Sequence, residues 1–262
     1  MIAKTDRPCP FCKARQVVPV VELRPNDGHT YRIVKCTKCD FVFTANPFES
    51  THARGANTTL RERRQPAVRH YRIEGLLRAL KLPGVPPRIV EVGAGHGLLA
   101  DLLRHDFDYC GYEPNKERAE LCQEQGLNVT NTSFDRTTAG EESVDGIVID
   151  NVLEHVSDPE RMIADSYVAL KRGGVLIVIV PSIRDVRRLM PKWRRRHHFQ
   201  RVHINYFSPE HLQVMLVRNG FKPCQFGFRG FDKSTARLIP YALADTFGLH
   251  PLGLYYYAIK TA

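Results

Sequence analysis

The segment IVEVGAGHGLLADLL, residues 89–103, constrains the fold more than any other stretch of the chain. It opens on β-forming residues, carries glycines at 93, 95 and 97, and continues from Leu98 with apolar residues at helical spacing. A strand that passes through a glycine turn straight into a helix leaves the sheet edge and crosses one of its faces. The same unit recurs. Strands are expected near 88–92, 107–112, 127–131, 144–150 and 174–181, and helices near 96–105, 115–125, 159–171 and 208–219. Such alternation predicts an α/β fold with helices on both faces of a mostly parallel sheet. KPCQFGF (222–228) and GLYYYAIK (253–260) would add an antiparallel edge and bring the sheet to seven strands.

Upstream of this array the chain reads differently. VVPVVEL and YRIVKC alternate as strands around the turn RPNDGHT, and FVFTA supplies a third. Residues 1–45 therefore form a small β module, 46–65 a polar linker, and 66–262 the large domain, entered by a helix from about Pro66 to the breaker LPGVPP. A module of this size buries too little apolar surface to be stable alone. Cys9-Pro-Phe-Cys12 and Cys36-Thr-Lys-Cys39, 23 residues apart, offer a remedy. Each CxxC turn can set two sulfurs about 3.8 Å apart, one edge of a tetrahedral Zn²⁺ site, and two turns make a closed four-thiolate set in a zinc-ribbon-like arrangement. A closed site has no open position for chemistry, so this metal is structural. Cys110, Cys122 and Cys224 are expected to be reduced packing residues.

The formal net charge is +10, with basic runs at RERRQ (61–65) and KWRRRHH (192–198). That balance favours anionic partners: phosphates, acidic sugars or nucleic acid. No export signal opens the sequence, and VLIVIVPS is too short to span a bilayer, so a cytoplasmic protein without a membrane span is expected.

The glycine turn fails two familiar tests. A dinucleotide fingerprint needs Gly or Ala at 98, where Leu98 stands, and a phosphate-binding P-loop needs a Gly-Lys-Ser/Thr that does not follow. Glu113 adds information. It ends the second strand, FDYCGY, twenty residues after Gly93, where an acid can accept both hydroxyls of a ribose. That implies an adenosine-type ligand without choosing between nicotinamide dinucleotides and S-adenosylmethionine.

VEVGAGHG, YEPN, VDGIVIDNVLEHVSDP, LKRGGVLIVIVPS and HINYFSPEHLQVMLVRNGF occur in the order seen in class I S-adenosylmethionine-dependent methyltransferases, and the chain resembles that family over residues 66–262. The resemblance is greatest to the group with an LEHV signature, which includes ubiquinone-biosynthesis O-methyltransferases and many glycan or natural-product methyltransferases. It implies a Rossmann-like fold. It further implies that Glu91, Gly93 and Gly95 face the methionine part of the cofactor, that Glu113 holds the ribose, and that Asn151 lies beside the sulfonium through its backbone. An Asp that bonds the adenine amino group is common in the family; here the sequence reads TSFDRTT, with Ser133 at that position, Phe134 next and Asp135 one residue late.

Transfer to an oxygen of high pKa requires a base. His155 with Glu154, in LEHV at the expected start of a helix, and His203, in RVHINYFSPE, sit where ligands bind in an open α/β sheet. The segment 182–202 is long for a connection and suggests a lid over an anionic acceptor, with Trp193, Arg194, Arg195 and the downstream Tyr206 as acceptor contacts. Three functions compete: an O-methyltransferase with a small-molecule or glycan acceptor, a nucleic-acid methyltransferase gripping phosphates through its basic runs, and a non-catalytic binding protein. The near-complete cofactor motifs disfavour the last. The absence of an Asn/Asp-Pro-Pro-Tyr-type motif and of a Pro-Cys nucleophile near 144–156 weakens base methylation. The sequence does not fix the oligomeric state.

Overall fold

The computed structural model describes residues 2–25, 28–47, 68–185, 199–225 and 253–261. Two sheets organise them. The first contains β1 (Ala3–Lys4), β2 (Gln16–Leu23), β3 (Tyr31–Cys36) and β4 (Val42–Thr44). After α1 (Val68–Ala79), the chain alternates through β5 (Arg88–Val92), α2 (Leu98–Leu103), β6 (Asp108–Tyr112), α3 (Lys116–Glu124), β7 (Val129–Thr130), α4 (Arg136–Ala139), β8 (Val144–Asp150), α5 (Pro159–Ala169) and β9 (Leu170–Val180). β10 (Asn205–Tyr206), α6 (Pro209–Arg218), β11 (Phe221–Gln225) and β12 (Leu254–Lys260) complete it.

The large sheet runs β11-β12-β9-β8-β5-β6-β7. Its five inner and leading strands pair in parallel, while β12 and β11 pair antiparallel at one edge. The α/β, Rossmann-like expectation of seven mostly parallel strands is met. The reason is visible residue by residue. Val90, Val92, Ile147, Ile149, Leu176 and Val178 face one core, and Ile89, Val148, Val175, Ile177 and Ile179 the other. Strands covered on both faces need such continuous apolar runs. Polar side chains begin the helices: Asn115 accepts from the Arg118 N–H, Asp158 from Arg161, and Ser208 from His211, with Pro159 and Pro209 in the first turns of α5 and α6.

From β5 the chain steps outward to β6 and β7, then returns to the other side of β5 as β8. The loops leaving β5 and β8 therefore diverge at a topological switch point, where a crevice opens at the carboxyl ends.

The small sheet has the order β1-β2-β3-β4-β10. Its last strand comes from the far side of the sequence, pairing Asn205 with Phe43 and Tyr206 with Val42. Phe11, Phe41 and Phe43 belong to the same apolar cluster as Val90, Ile147 and Leu176. α6 packs on the cysteine turns: the Arg218 guanidinium lies 4.4 Å over Phe11, and His211 meets Phe11 and Phe41 edge-on. A boundary at residue 45 marks a change of sheet along the chain but no break in the core. β1, β10 and α4 have no counterpart in the sequence reading, because two to four residues carry no periodicity. Most of the linker and most of the lid-like segment lie outside the described residues, including Trp193, Arg194 and Arg195. No helix among the described residues is long and apolar enough to cross a membrane.

Candidate active site

The crevice is floored by the glycine turn after β5. Gly93, Gly95 and Gly97 have φ of 74°, 59° and 70°, a region that side chains with a Cβ rarely occupy. A Cβ at Gly93 would lie 2.6 Å from Val152 Cγ2, so the turn after β5 closes directly on the loop after β8. A Cβ at Gly95 would meet only the Gly93 carbonyl oxygen, at 3.9 Å, leaving open space above the turn. Gly97 begins α2 and packs beneath Leu127 and Cys122.

Glu113 is buried at the end of β6. Its two carboxylate oxygens accept N–H bonds from Gly95 and Asn115, at 2.8 and 2.9 Å. The carboxylate is thus fixed beside the glycine turn, with lone pairs left for two hydroxyls. Glu91, on β5, is buried and accepts from the Tyr109 hydroxyl. Burial, together with the charges of Asp150 and Glu113, pushes its carboxyl up to about 8 against the opposing Tyr109 bond. Phe134 is buried and packs against Tyr112, with ring centroids 5.8 Å apart, while Ser133 is exposed. Asp135 is committed elsewhere: it caps α4, accepting from the Thr137 and Thr138 N–H groups. The late position of this acid is a helix cap.

The opposite wall is the loop after β8. Asn151 sits at φ 54°, an uncommon non-glycine conformation of the kind found at functional sites, and donates its side-chain amide to Asp150. Asp150 also receives Arg69 at 2.6 Å, with His70 at 3.4 Å, both from α1. Sequence reasoning missed all three, because nothing in VDGIVID distinguishes Asp150 from a strand-end solvating residue.

His155 lies in a turn, with its N–H bonded to the Val152 carbonyl, and α5 starts only at Pro159. The expected helix start at His155 is therefore displaced, because the Asp158 cap sets the boundary. Its Nδ1 lies 2.8 Å from the Val202 carbonyl. His203 packs edge-on against it, with ring centroids 4.9 Å apart. Glu154 is 1% exposed, and neither carboxylate oxygen has a hydrogen-bond partner among the described residues. Burial pushes its carboxyl up to about 8, and burial with the neighbouring His155 pushes His203 down to about 3. Glu154, His155 and His203 each place a ligand-type atom within 4.8 Å of the others. Tyr206 is not part of this group: it is buried on β10, with its hydroxyl donating to the Gln200 carbonyl, and it lines a separate surface cleft with Lys35, Arg184 and His211.

Distant residues hold this wall. Main-chain N–H groups of Ile204 and Asn205 donate to the Glu154 carbonyl, and the Asn205 amide donates to Leu153 and Val156. Arg7, from the small sheet, donates to the carbonyls of Thr44, Ile204 and Ser157 and to the Asn205 side chain. No sequence signal marks Arg7; only its position between the two sheets does.

The four N-terminal cysteines converge. The Cys9–Cys39 and Cys12–Cys36 sulfur separations are 3.6 and 3.5 Å, close to the ~3.8 Å edge of a thiolate tetrahedron around zinc. The two turns are near copies. Lys13 and Asp40, each following a CxxC, adopt φ of 62° and 61°, and each N–H returns to the carbonyl of the first cysteine. This arrangement is compatible with zinc.

A family model described as a methyltransferase domain matches residues 60–225. An uncharacterised protein of Methanocaldococcus jannaschii is 27% identical over 161 residues, covering 60% of this chain and 77% of its own. An S-adenosylmethionine-dependent methyltransferase from Archaeoglobus fulgidus superposes with a TM-score of 0.54 at 17% identity, over 74% of this chain and 93% of that one. Phosphoethanolamine N-methyltransferase 2 of Haemonchus contortus, solved with S-adenosyl-L-methionine, gives 0.52 at 13% identity, over 73% and 53%. At these identities the solved structures share the fold.

Proposed function

The chain belongs to the methyltransferase-domain family and is an S-adenosylmethionine-dependent methyltransferase; from that premise we propose that its acceptor is a hydroxyl of an anionic small molecule or sugar. The cofactor supplies an electrophilic methyl on a cationic sulfur, and transfer to oxygen leaves a neutral thioether and releases a proton. The chain's own residues divide the remaining work. Gly93 and Gly95 let the backbone approach the methionine portion, Glu91 faces its ammonium, and the fixed Glu113 carboxylate takes the ribose hydroxyls. Ser133 and Phe134 border the adenine, and the Asn151 backbone borders the sulfonium. Positioning of this kind can recover about 7–11 kcal/mol of a transfer barrier.

One observation carries the choice of a hydroxyl: the Glu154–His155–His203 group on the wall opposite the glycine turn. An amine already carries the lone pair it needs near its own pKa, whereas an alcohol needs help in losing its proton. His155, with a side chain 34% exposed, is the imidazole best able to meet an acceptor, and Glu154 and His203 stand behind it. Burial and the neighbouring His155 hold His203 neutral. The same reading gives Cys9, Cys12, Cys36 and Cys39 a structural Zn²⁺, and gives Trp193, Arg194 and Arg195 to the acceptor's anionic part, with Tyr206 left to its separate cleft.

The test uses purified protein and cofactor labelled on the methyl group, incubated with extract of the source cells. Label recovered in the small-molecule or glycan pool as an alkali-stable methyl ether is expected. Label in a nuclease-sensitive pool overturns the reading and turns the basic runs into a nucleic-acid grip.

A further inference from the structure

We propose that Tyr109 is a positioning residue for cofactor binding: its phenol, laid along β6 beside the glycine turn, holds the Glu91 side chain and donates the hydrogen bond that the charged carboxylate needs. The inference rests on the reading that Glu91 faces the cofactor's ammonium. It deepens that reading by naming the partner that lets Glu91 become an anion there.

The geometry follows from the strand register. β5 and β6 pair in parallel, with Ile89 opposite Tyr109 and Glu91 opposite Gly111. Residues 109 and 111 share one face of the strand, so a side chain at 111 would stand between the phenol and Glu91. Gly111 leaves that space open. A Cβ there would lie 2.8 Å from the Tyr109 hydroxyl oxygen and 2.8 Å from the Ala94 Cβ of the turn. The phenol leans across the gap and donates to Glu91 Oε2. Its ring is held in one apolar cluster with Ile89, Ala94, Leu99 and Val129. Tyr109 is 4% exposed and Glu91 5%, so little water reaches the pair. Phenylalanine would fill the same apolar space; the hydroxyl is accounted for by Glu91.

A phenol donates more strongly to a carboxylate than to a neutral carboxyl. Burial pushes the Glu91 carboxyl up to about 8, and the Tyr109 bond is the largest influence opposing it. Asp150 at the end of β8 and Glu113 at the end of β6 add to the rise, while Arg69 on α1 opposes it. The buried Cys122 thiol on α3 also feels the Glu91 charge. Burial holds the Tyr109 phenol well above its ordinary value, so it remains a donor throughout. An ammonium is bound by a carboxylate and not by a neutral carboxyl. Cofactor binding therefore sends the Glu91 proton to solvent, and the Tyr109 bond makes that loss easier.

The experiment measures S-adenosylmethionine affinity of the intact protein by calorimetry from about pH 6 to about pH 9. Wild-type affinity should rise with pH and level off above about 8. Tyr109→Phe keeps the ring and removes the donor. Its affinity should be about tenfold weaker at pH 7 but only about twofold weaker at pH 9, because the Glu91 proton is held about one unit more tightly. The ratio of the two proteins at each pH cancels the cofactor's own titration. In Glu91→Gln the amide does not titrate, so adding Tyr109→Phe should cost less than about twofold. A ratio constant across the pH range, or an undiminished loss in the Glu91→Gln background, marks lost packing and overturns the proposal. Wild-type affinity that does not change with pH overturns it without any variant. Glu91→Gln that binds as tightly as wild type at pH 9 defeats the placement of Glu91 at the ammonium. A weakened Glu91→Gln beside a pH-independent Tyr109→Phe defeats the role of Tyr109 alone.

Discussion

Glu113 and Glu154 are both buried carboxylates on walls of one crevice, yet they are held differently. Glu113 is fixed by its own oxygens, through N–H groups of Gly95 and Asn115 that lie within eighteen residues. Glu154 is fixed by its main chain, through Ile204 and Asn205, and its carboxylate oxygens have no hydrogen-bond partner among the described residues. The wall where we place the cofactor is a property of local backbone. The wall where we place the acceptor forms only when the small sheet, β10 and the loop after β8 meet. A change that loosens the second should spare the first.

The largest expected effect comes from the cysteines. Cys36→Ser should abolish zinc content, and because structural zinc contributes on the order of 10 kcal/mol to such modules, the small sheet should lose protection in hydrogen exchange. Acceptor turnover should fall by about 100-fold or more while cofactor Kd changes less than about threefold. Equal losses in both would break the distinction between the walls.

Glu113→Ala tests the other side. It removes the charged acceptor proposed for two ribose hydroxyls, worth about 2–3 kcal/mol together, so cofactor Kd should rise roughly 30- to 150-fold. Arg7→Ala should be milder, about 2 kcal/mol in thermal stability, because it removes one side chain's hydrogen bonds and leaves the pairing of β4 with β10 intact. Its acceptor KM should rise several-fold, and the cofactor Kd should stay put. A raised cofactor Kd would show that Arg7 serves both walls.

The smallest effect sharpens the electrostatics. The Glu91 carboxyl, held up near 8 by burial, binds a proton at neutral pH that the unfolded chain releases above about 4.5. Its contribution to stability is therefore full below 4.5 and lost as pH rises through 8. A bound ammonium should drive that proton off. Calorimetry of cofactor binding in buffers of different ionisation enthalpy should show release of up to about one proton at pH 7, absent in Glu91→Gln.

The cofactor wall was legible because its signals are short-range. Glycines 93, 95 and 97, Glu113 and the strand–helix period lie in one stretch, and the parallel sheet follows from apolar runs such as VLIVIV. The four cysteines were legible for the same reason. The acceptor wall was only half so. His155, Glu154 and His203 stood out by residue type, but their convergence depends on Val202, Ile204 and Asn205 returning to the loop after β8. Arg7, Arg69 and Asp150 were invisible, since a lone cation or a strand-end acid has no pattern until the fold supplies its partner. In TSFDRTT the acid that stands one residue late for the adenine is used by the backbone as a helix cap.

The pairing of β4 with β10 has a consequence for biogenesis. Arg7 and its Ile204 partner are 197 residues apart. At ordinary elongation rates of about 5–20 residues per second, the cysteine turns leave the ribosome roughly 10–40 s before the strand that completes their sheet. During that interval Phe41 and Phe43, fully buried in the finished molecule, have no lid, and the thiolates are open to the metal pool. The order of synthesis therefore exposes the four cysteines before the strand that closes their sheet, so the zinc we propose for them would be loaded before the wall after β8 is complete.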